Sequence, residues 1–253
     1  MHRLCKPTGT FECPLIMNDT PLHINKCMSN FDFSFRVDQL AQQLAPEDFS
    51  IKPEIYSTIL NRTQYNYLPI AKNAHTWTTA LLATNLQFTK VVNYSKILPY
   101  GKFIVILRDP IKRWIAGVAQ CLSEYDTNMC RDLVHNDNFI KFLCDMGSID
   151  GHTRPQINGL LQVDIKQCIF FKCDSTLEPT MYHFIKAISN RDSVVPCDNY
   201  NRLEDSNESK KIVYQALTER LQDKEYFDRV NKYVSTDIKF LEYITENNLW
   251  YTA

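Results

Sequence analysis

Glycine is scarce in this chain: there are six in 253 residues, and none lies between Gly9 and Gly101. That gap removes the G-x-x-x-x-G-K-[ST] loop with which P-loop ATPases and GTPases cradle a nucleotide. Long apolar runs are missing as well, so no segment is expected to span a bilayer. An excess of one charge is also lacking. Twenty-eight Lys and Arg stand against 29 Asp and Glu, a net charge of -1, which argues against a general nucleic-acid binder. Paired CxxC spacing of the zinc type is absent, the closest of the nine cysteines being Cys168 and Cys173. An odd number of cysteines without that spacing reads as reduced, mostly buried thiols, and no metal site is expected. The start of the chain, Met1-His2-Arg3-Leu4-Cys5-Lys6-Pro7, has no apolar core of a secretory signal, so the expected compartment is a cytoplasm. If the chain is instead a piece of a longer secretory protein, it belongs in the lumen. The sequons at Asn18, Asn61, Asn93 and Asn207 would then matter.

What is present is an ordinary globular composition, 44% hydrophobic and 23% charged, at a length that fits one domain over residues 1–253. Residues 1–60 read as an irregular arm with a short helix at Val37 to Leu44, and residues 65–250 as the core. Strands are expected at Tyr65 to Ala71, Phe88 to Tyr94, Phe103 to Leu107 and Cys168 to Lys172. Helices are expected at Thr76 to Leu86, Ile111 to Glu124, Asp137 to Met146, Gly151 to Leu161, Leu177 to Ser189, Ser209 to Asp223 and Tyr226 to Ile244. Strands alternating with helices imply an α/β fold: a central, mainly parallel sheet of four or five strands flanked by helices in three layers, like a P-loop fold.

Two stretches carry the chemistry. In Tyr67-Leu68-Pro69-Ile70-Ala71-Lys72-Asn73-Ala74-His75-Thr76-Trp77 and in Phe103-Ile104-Val105-Ile106-Leu107-Arg108-Asp109-Pro110, an apolar run ends in a cation and a helix follows. Such turns aim backbone N–H groups and fixed positive charge at a phosphate. If the two lie side by side at the carboxyl ends of neighbouring parallel strands, they suit a ligand with two anionic ends. A Lys that merely snorkels out at a strand end is the plain alternative for Lys72, and an ordinary helix start is the alternative for Arg108.

The first turn resembles the loop P-K-[ST]-[GA]-[ST]-T-[WS] of the sulfotransferase family, especially its carbohydrate-modifying branches and small members from marine microbes and their phages. Lys72, Thr76 and Trp77 match that pattern, while Ala71, Ala74 and His75 replace the proline, the small glycine-type position and a hydroxyl. Arg108 to Ala116 resembles the second signature, R-[DN]-P-x-x-R-x-x-S, with Ala116 at the serine position and Ser123 the nearest substitute hydroxyl. His152-Thr153-Arg154-Pro155-Gln156 resembles an H-x-x-x-Q segment of several carbohydrate-type members. For a phage-encoded chain, the compartment would be the host cytoplasm.

The resemblance implies a cosubstrate, 3′-phosphoadenosine 5′-phosphosulfate (PAPS), no metal, and an acceptor hydroxyl on a carbohydrate. Lys72, Asn73, Ala74, His75, Thr76 and Trp77 would hold the 5′-phosphosulfate and Arg108 the 3′-phosphate. Lys72 would neutralise the departing phosphate. The strand region that usually supplies the general base, Lys90 to Lys96, holds neither carboxylate nor imidazole. His75 and His152 are therefore the candidate bases, with Glu124 and Asp126 behind them, and a merely hydrogen-bonded His is as good a reading of either imidazole. Arg113 is as apt to pair with an acid as to touch ligand. His2, His23, His135 and His183 lie in no motif. Two other functions stay open: an inactive nucleotide- or glycan-binding protein on the same fold, and a P-loop kinase, which the glycine-free loop disfavours.

Overall fold

The computed structural model describes residues 54–91, 97, 98, 100–123, 127–149, 151–160, 163–197 and 207–252. The expected arm through residue 53 with its Val37 to Leu44 helix, the Tyr94 end of the second strand, and the outlying candidates Glu124 and Asp126 fall outside them.

Strands β1 (Tyr56–Leu60) and β2 (Thr63–Leu68) form an antiparallel hairpin in which Tyr56 faces Tyr67 and Leu60 faces Thr63. Its two-residue turn, Asn61-Arg62, has φ of 50° and 65°, the left-handed pair that matches the twist of the flanking strands. No glycine marks that turn, which is why sequence reading leaves β1 in the irregular arm. Strand β3 (Thr89–Lys90) pairs antiparallel with β1, while β4 (Lys102–Leu107) runs parallel to β2 and β5 (Cys168–Lys172) parallel to β4. The order is β3-β1-β2-β4-β5. The sheet is therefore mixed: parallel around β4, as expected, and antiparallel on the β1 side. Beyond β5, Trp250 bridges to Phe170, and the Tyr251 N–H donates to the Phe170 carbonyl at 2.8 Å.

Helices α1 (His75–Leu86), α2 (Pro110–Leu122), α3 (Thr127–His135), α4 (Asp137–Met146), α5 (Leu177–Ser189), α6 (Glu208–Arg220), α7 (Lys224–Tyr233) and α8 (Ser235–Glu246) surround it. Side chains alternate along β4 as a strand requires. Phe103, Val105 and Leu107 pack with Leu160, Phe170, Phe240 and Ile244, while Ile104 and Ile106 pack with Trp77, Leu81, Met181 and Phe184. One face is thus covered by α8 and the short 3₁₀ turn Gln156–Leu160, the other by α1 and α5. A third cluster joins α2 (Trp114, Ile115, Val118) to α3, α4, α6 and α7.

The expected mainly parallel sheet is thus a mixed one, and three expected elements change as well. The helix expected from Gly151 is a turn followed by the 3₁₀ segment Gln156–Leu160. The strand expected from Phe88 is two residues long. The single helix expected over Tyr226 to Ile244 breaks at Val234 into α7 and α8. Tyr226, Val230 and Tyr233 belong to the helical cluster, whereas Phe240 and Ile244 cover the sheet, so one straight stripe cannot serve both.

Helix α2 has two working faces. Trp114, Ile115, Val118 and Leu122 enter the helical cluster, while Arg113, Gly117 and Gln120 face the loop after β2 and the His152 segment. Pro110 opens the helix and the Asp109 carboxylate accepts from the Lys112 N–H at 2.8 Å, an ordinary N-cap. A Cβ on Gly117 would sit 2.6 Å from the His152 carbonyl oxygen. Gly117→Ala is therefore expected to destabilise the protein by about 1–3 kcal/mol through overpacking, against a helix-propensity gain of at most about 1 kcal/mol. Urea unfolding would show it as a lower midpoint. A raised midpoint would mean that the His152 backbone yields freely.

Candidate active site

The loop from Pro69 to Ala74 leaves β2 and turns into α1 with no glycine to ease it. Lys72 and Ala74 both take left-handed backbone conformations, with φ of 67° and 56°. Each costs a non-glycine residue roughly 1–2 kcal/mol, and strain of this kind collects where function requires a fixed backbone. Ala74 is the N-cap residue of α1, and no described side chain caps that helix. The leading N–H groups of α1 are thus left to a ligand or to water. By contrast, the start of α2 is occupied by its own Asp109. Of the two turns singled out in the sequence, the first therefore presents an open helix N-terminus and the second presents a side chain.

That side chain reaches the first turn. Arg108 Nη1 donates to the Lys72 carbonyl at 3.2 Å, so the two cationic turns do lie side by side at the ends of β2 and β4. The Lys72 ammonium extends along α2 and donates to Gln120 Oε1 at 2.9 Å. Thr76 is exposed at the start of α1, and His75 and His152 are half-buried. Burial holds the His75 imidazole below its ordinary pKa, and the charges of Lys72 and His152 push the same way while the Glu54 carboxylate opposes them. A neutral imidazole at neutral pH suits a proton acceptor.

Other expected site residues turn inward. Trp77 is 4% exposed and packs with Leu81 and Leu82 in the core, so its ring is not available to a cofactor. Helical spacing explains this, because Trp77 lies on the same face as Leu81. The Asn73 side chain is fully buried, with Nδ2 donating to the Ile106 carbonyl at 2.7 Å and to Gln156 Oε1 at 2.6 Å. Asn73 therefore shapes the loop, its own N–H donating to the Ile70 carbonyl at 3.1 Å. Arg113 is 3% exposed. It donates through Nε to the Ala71 carbonyl at 2.9 Å and through Nη1 to the Arg154 carbonyl, a structural clamp. Ala116 is 7% exposed, leaving little room for the serine hydroxyl that the second signature carries. Ser123 does not replace it. It lies at the far end of α2, about 20 Å along the axis from Arg108, and donates to the Gln120 carbonyl at 2.8 Å.

Sequence reading named Gln156 within a motif but gave it no role, and the fold makes it the hub of the site. Its Oε1 accepts from the Arg108 N–H at 2.9 Å and its Nε2 donates to the Arg108 carbonyl at 2.7 Å, so the carboxamide pairs with Arg108 as a neighbouring strand would. The backbone N–H groups of Gln156 and Ile157 donate to the Asp237 carboxylate at 2.7 and 3.0 Å. Asp237 is fully buried. Burial pushes its pKa up, and Arg113 and those two amides pull it back. Gln120, the acceptor of the Lys72 ammonium, is one more site neighbour that carried no motif signal. Among the described residues no group of three or more His, Cys, Asp and Glu is placed to hold a metal, and no helix is long and apolar enough to cross a membrane. The six described cysteines are free thiols.

Comparison with protein-family models, with curated proteins and with solved structures returns no match.

Gln156→Leu keeps the volume roughly constant but leaves the Arg108 peptide and Asn73 Nδ2 without their partner. A loss of at least about 1–3 kcal/mol is expected, the cost of a buried donor left unpaired. Chemical denaturation measures it, and an unchanged midpoint would show that the carboxamide does not hold the two loops together.

Proposed function

We propose that the protein is a sulfotransferase of a P-loop-like α/β fold, moving a sulfuryl group from PAPS to an acceptor hydroxyl on a carbohydrate. The observation that carries this reading is the strained, glycine-free loop at Lys72. It joins an uncapped helix N-terminus to two cations, Lys72 and Arg108, that stand on adjacent parallel strand ends. This donor set fits a cosubstrate with two anionic ends. The α1 amides, Thr76 and Lys72 would hold the 5′-phosphosulfate, and the Arg108 fork would hold the 3′-phosphate. Asp109 occupies the start of α2, so the second anion is left to the Arg108 side chain and not to helix amides.

The roles follow from charge. PAPS supplies the sulfuryl group and a good leaving group. Lys72 sits where negative charge grows on the departing phosphate, and it exchanges Gln120 for that oxygen. His75, held neutral by burial, takes the proton of the acceptor hydroxyl, with His152 beside it on the acceptor side. One observation favours a second reading, a binding protein without activity: the serine hydroxyl absent at Ala116 is not supplied from Ser123.

Calorimetry with adenosine 3′,5′-bisphosphate and with ATP plus magnesium tests the cosubstrate class. The bisphosphate should bind and ATP should not; the reverse result sinks the proposal and restores the kinase. Binding without transfer of label from PAPS leaves the inactive binder.

Two variants carry the test to residues. Lys72→Ala should lower the transfer rate about a hundred- to a thousandfold, as loss of a preorganised charge donor does. Its thermal unfolding should stay close to that of the parent. Transfer of label from PAPS at the parent rate would remove Lys72 from the chemistry.

Arg108→Ala should act on affinity, because a contact to the 3′-phosphate is made in ground and transition states alike. A loss of about 1.5–3 kcal/mol in bisphosphate binding is expected for a charge-assisted, two-pronged contact. An unchanged dissociation constant in calorimetry would take Arg108 out of the site.

A further inference from the structure

Helix α8 brings one buried carboxylate to the segment beside Arg108. Asp237 stands in its first turn, and Phe240 and Ile244 follow on the same side of the helix. Those two side chains are buried against the sheet, Phe240 edge-on to Phe170 of β5 with ring centroids 5.9 Å apart. The packing that fastens α8 to the sheet therefore also fixes where Asp237 stands.

Both Asp237 oxygens go to one short turn. Oδ2 accepts from the Gln156 N–H at 2.7 Å and Oδ1 from the Ile157 N–H at 3.0 Å. Pro155 before them has no N–H, so these are the first two amides the turn has to satisfy after Arg154. The Arg154 carbonyl accepts from Arg113 Nη1, while Arg113 Nε donates to the Ala71 carbonyl. An anion thus holds the amide end of the turn and a cation its carbonyl end. The backbone from which the Gln156 side chain departs is fixed on both sides.

We propose that Asp237 is a positioning residue for anion binding: by fixing the Gln156 backbone it holds the Gln156 carboxamide against the Arg108 peptide, and so sets where the Arg108 side chain starts. The chain of contacts is continuous. The carboxamide pairs with the Arg108 N–H and carbonyl at 2.9 and 2.7 Å, and Arg108 Nη1 donates to the Lys72 carbonyl at 3.2 Å. Asn73 Nδ2, bonded to the same Gln156 oxygen at 2.6 Å, ties in the Lys72 loop. Asp237 is buried behind this chain and acts only through it. A carboxylate suits the place because two N–H groups converge on it. An Asn side chain would offer one oxygen and turn its amino group toward the second N–H. The bearing of Asp237 on the 3′-phosphate rests on the sulfotransferase reading; its hold on the Arg108 turn does not.

Two measurements on the full chain test this. In native-state hydrogen exchange followed by NMR, Asp237→Asn should let the Arg108 amide exchange about tenfold faster, the scale of one buried hydrogen bond lost from the chain. Val230 of α7, which packs in the helical cluster, should accelerate clearly less. Equal acceleration at both amides is a general loss of stability and overturns the proposal, as does an unchanged Arg108 amide. Calorimetry with adenosine 3′,5′-bisphosphate then reads the coupling to the ligand. Asp237→Asn should weaken binding about tenfold in the parent background and at most about twofold in an Arg108→Ala background, because the residue it positions is then gone. The same loss in both backgrounds overturns the link through Arg108. Should Asp237→Asn fold too poorly to assay, Asp237→Ser, which is smaller and keeps one acceptor oxygen, carries the same comparisons. Failure of the parent protein to bind the bisphosphate sinks the sulfotransferase reading separately, and the exchange experiment still decides whether Asp237 holds the Arg108 turn.

Discussion

The candidate site depends on one carboxamide. Gln156 presents an acceptor and a donor to the peptide of Arg108 and a second acceptor contact to Asn73. It thereby ties the loop after β2 to the end of β4. A carboxylate could not do this, because it has no proton for the Arg108 carbonyl, and an aliphatic side chain would leave the Arg108 N–H and carbonyl unpaired and take from Asn73 Nδ2 one of its two acceptors. Net hydrogen-bond energies of about 1 kcal/mol are modest, but the penalty for an orphaned buried group makes such a hub hard to replace. The hub in turn stands on Asp237, a residue of α8 some 80 positions away in sequence. Helix α8 thus helps to hold the candidate site in place.

Around that hub, charge is distributed unequally between the two turns. The β2–α1 loop keeps its helix amides open and accepts backbone strain at Lys72 and Ala74, whereas the β4–α2 turn fills its own amides with Asp109. Both cations are satisfied by protein groups, Lys72 by Gln120 and Arg108 by a main-chain carbonyl. The clamp of Arg113 on the Ala71 and Arg154 carbonyls belongs to the other category, a buried charge with a structural duty. Its charge offsets part of the rise that burial imposes on the Asp237 carboxyl.

Helix α2 connects this arrangement to the rest of the molecule. One stripe, through Trp114 and Val118, locks into the cluster of α3, α4, α6 and α7, and the opposite stripe, through Gly117 and Gln120, meets the His152 segment and Lys72. The close approach at Gly117 lets the His152 backbone lie directly against α2. Packing of the helical cluster and geometry of the site are therefore coupled through a single helix.

Residue order alone determined the parallel half of the sheet and its two cationic turns. A buried apolar strand followed by a cation and a helix is a local pattern, and Lys72, Arg108 and the Pro110 helix start sit where that pattern puts them. Local pattern could not determine which polar side chains turn inward. Asn73 and Trp77 share a motif with Lys72, yet burial against Ile106 and Leu81 turns their side chains inward. Nor could it reveal β1, whose turn uses Asn61 and Arg62 in place of glycine. Gln156 and Asp237 acquire their roles only when β4 and α8 meet. These residues are distant in sequence and carry no periodic signal, so their partners are decided by tertiary packing.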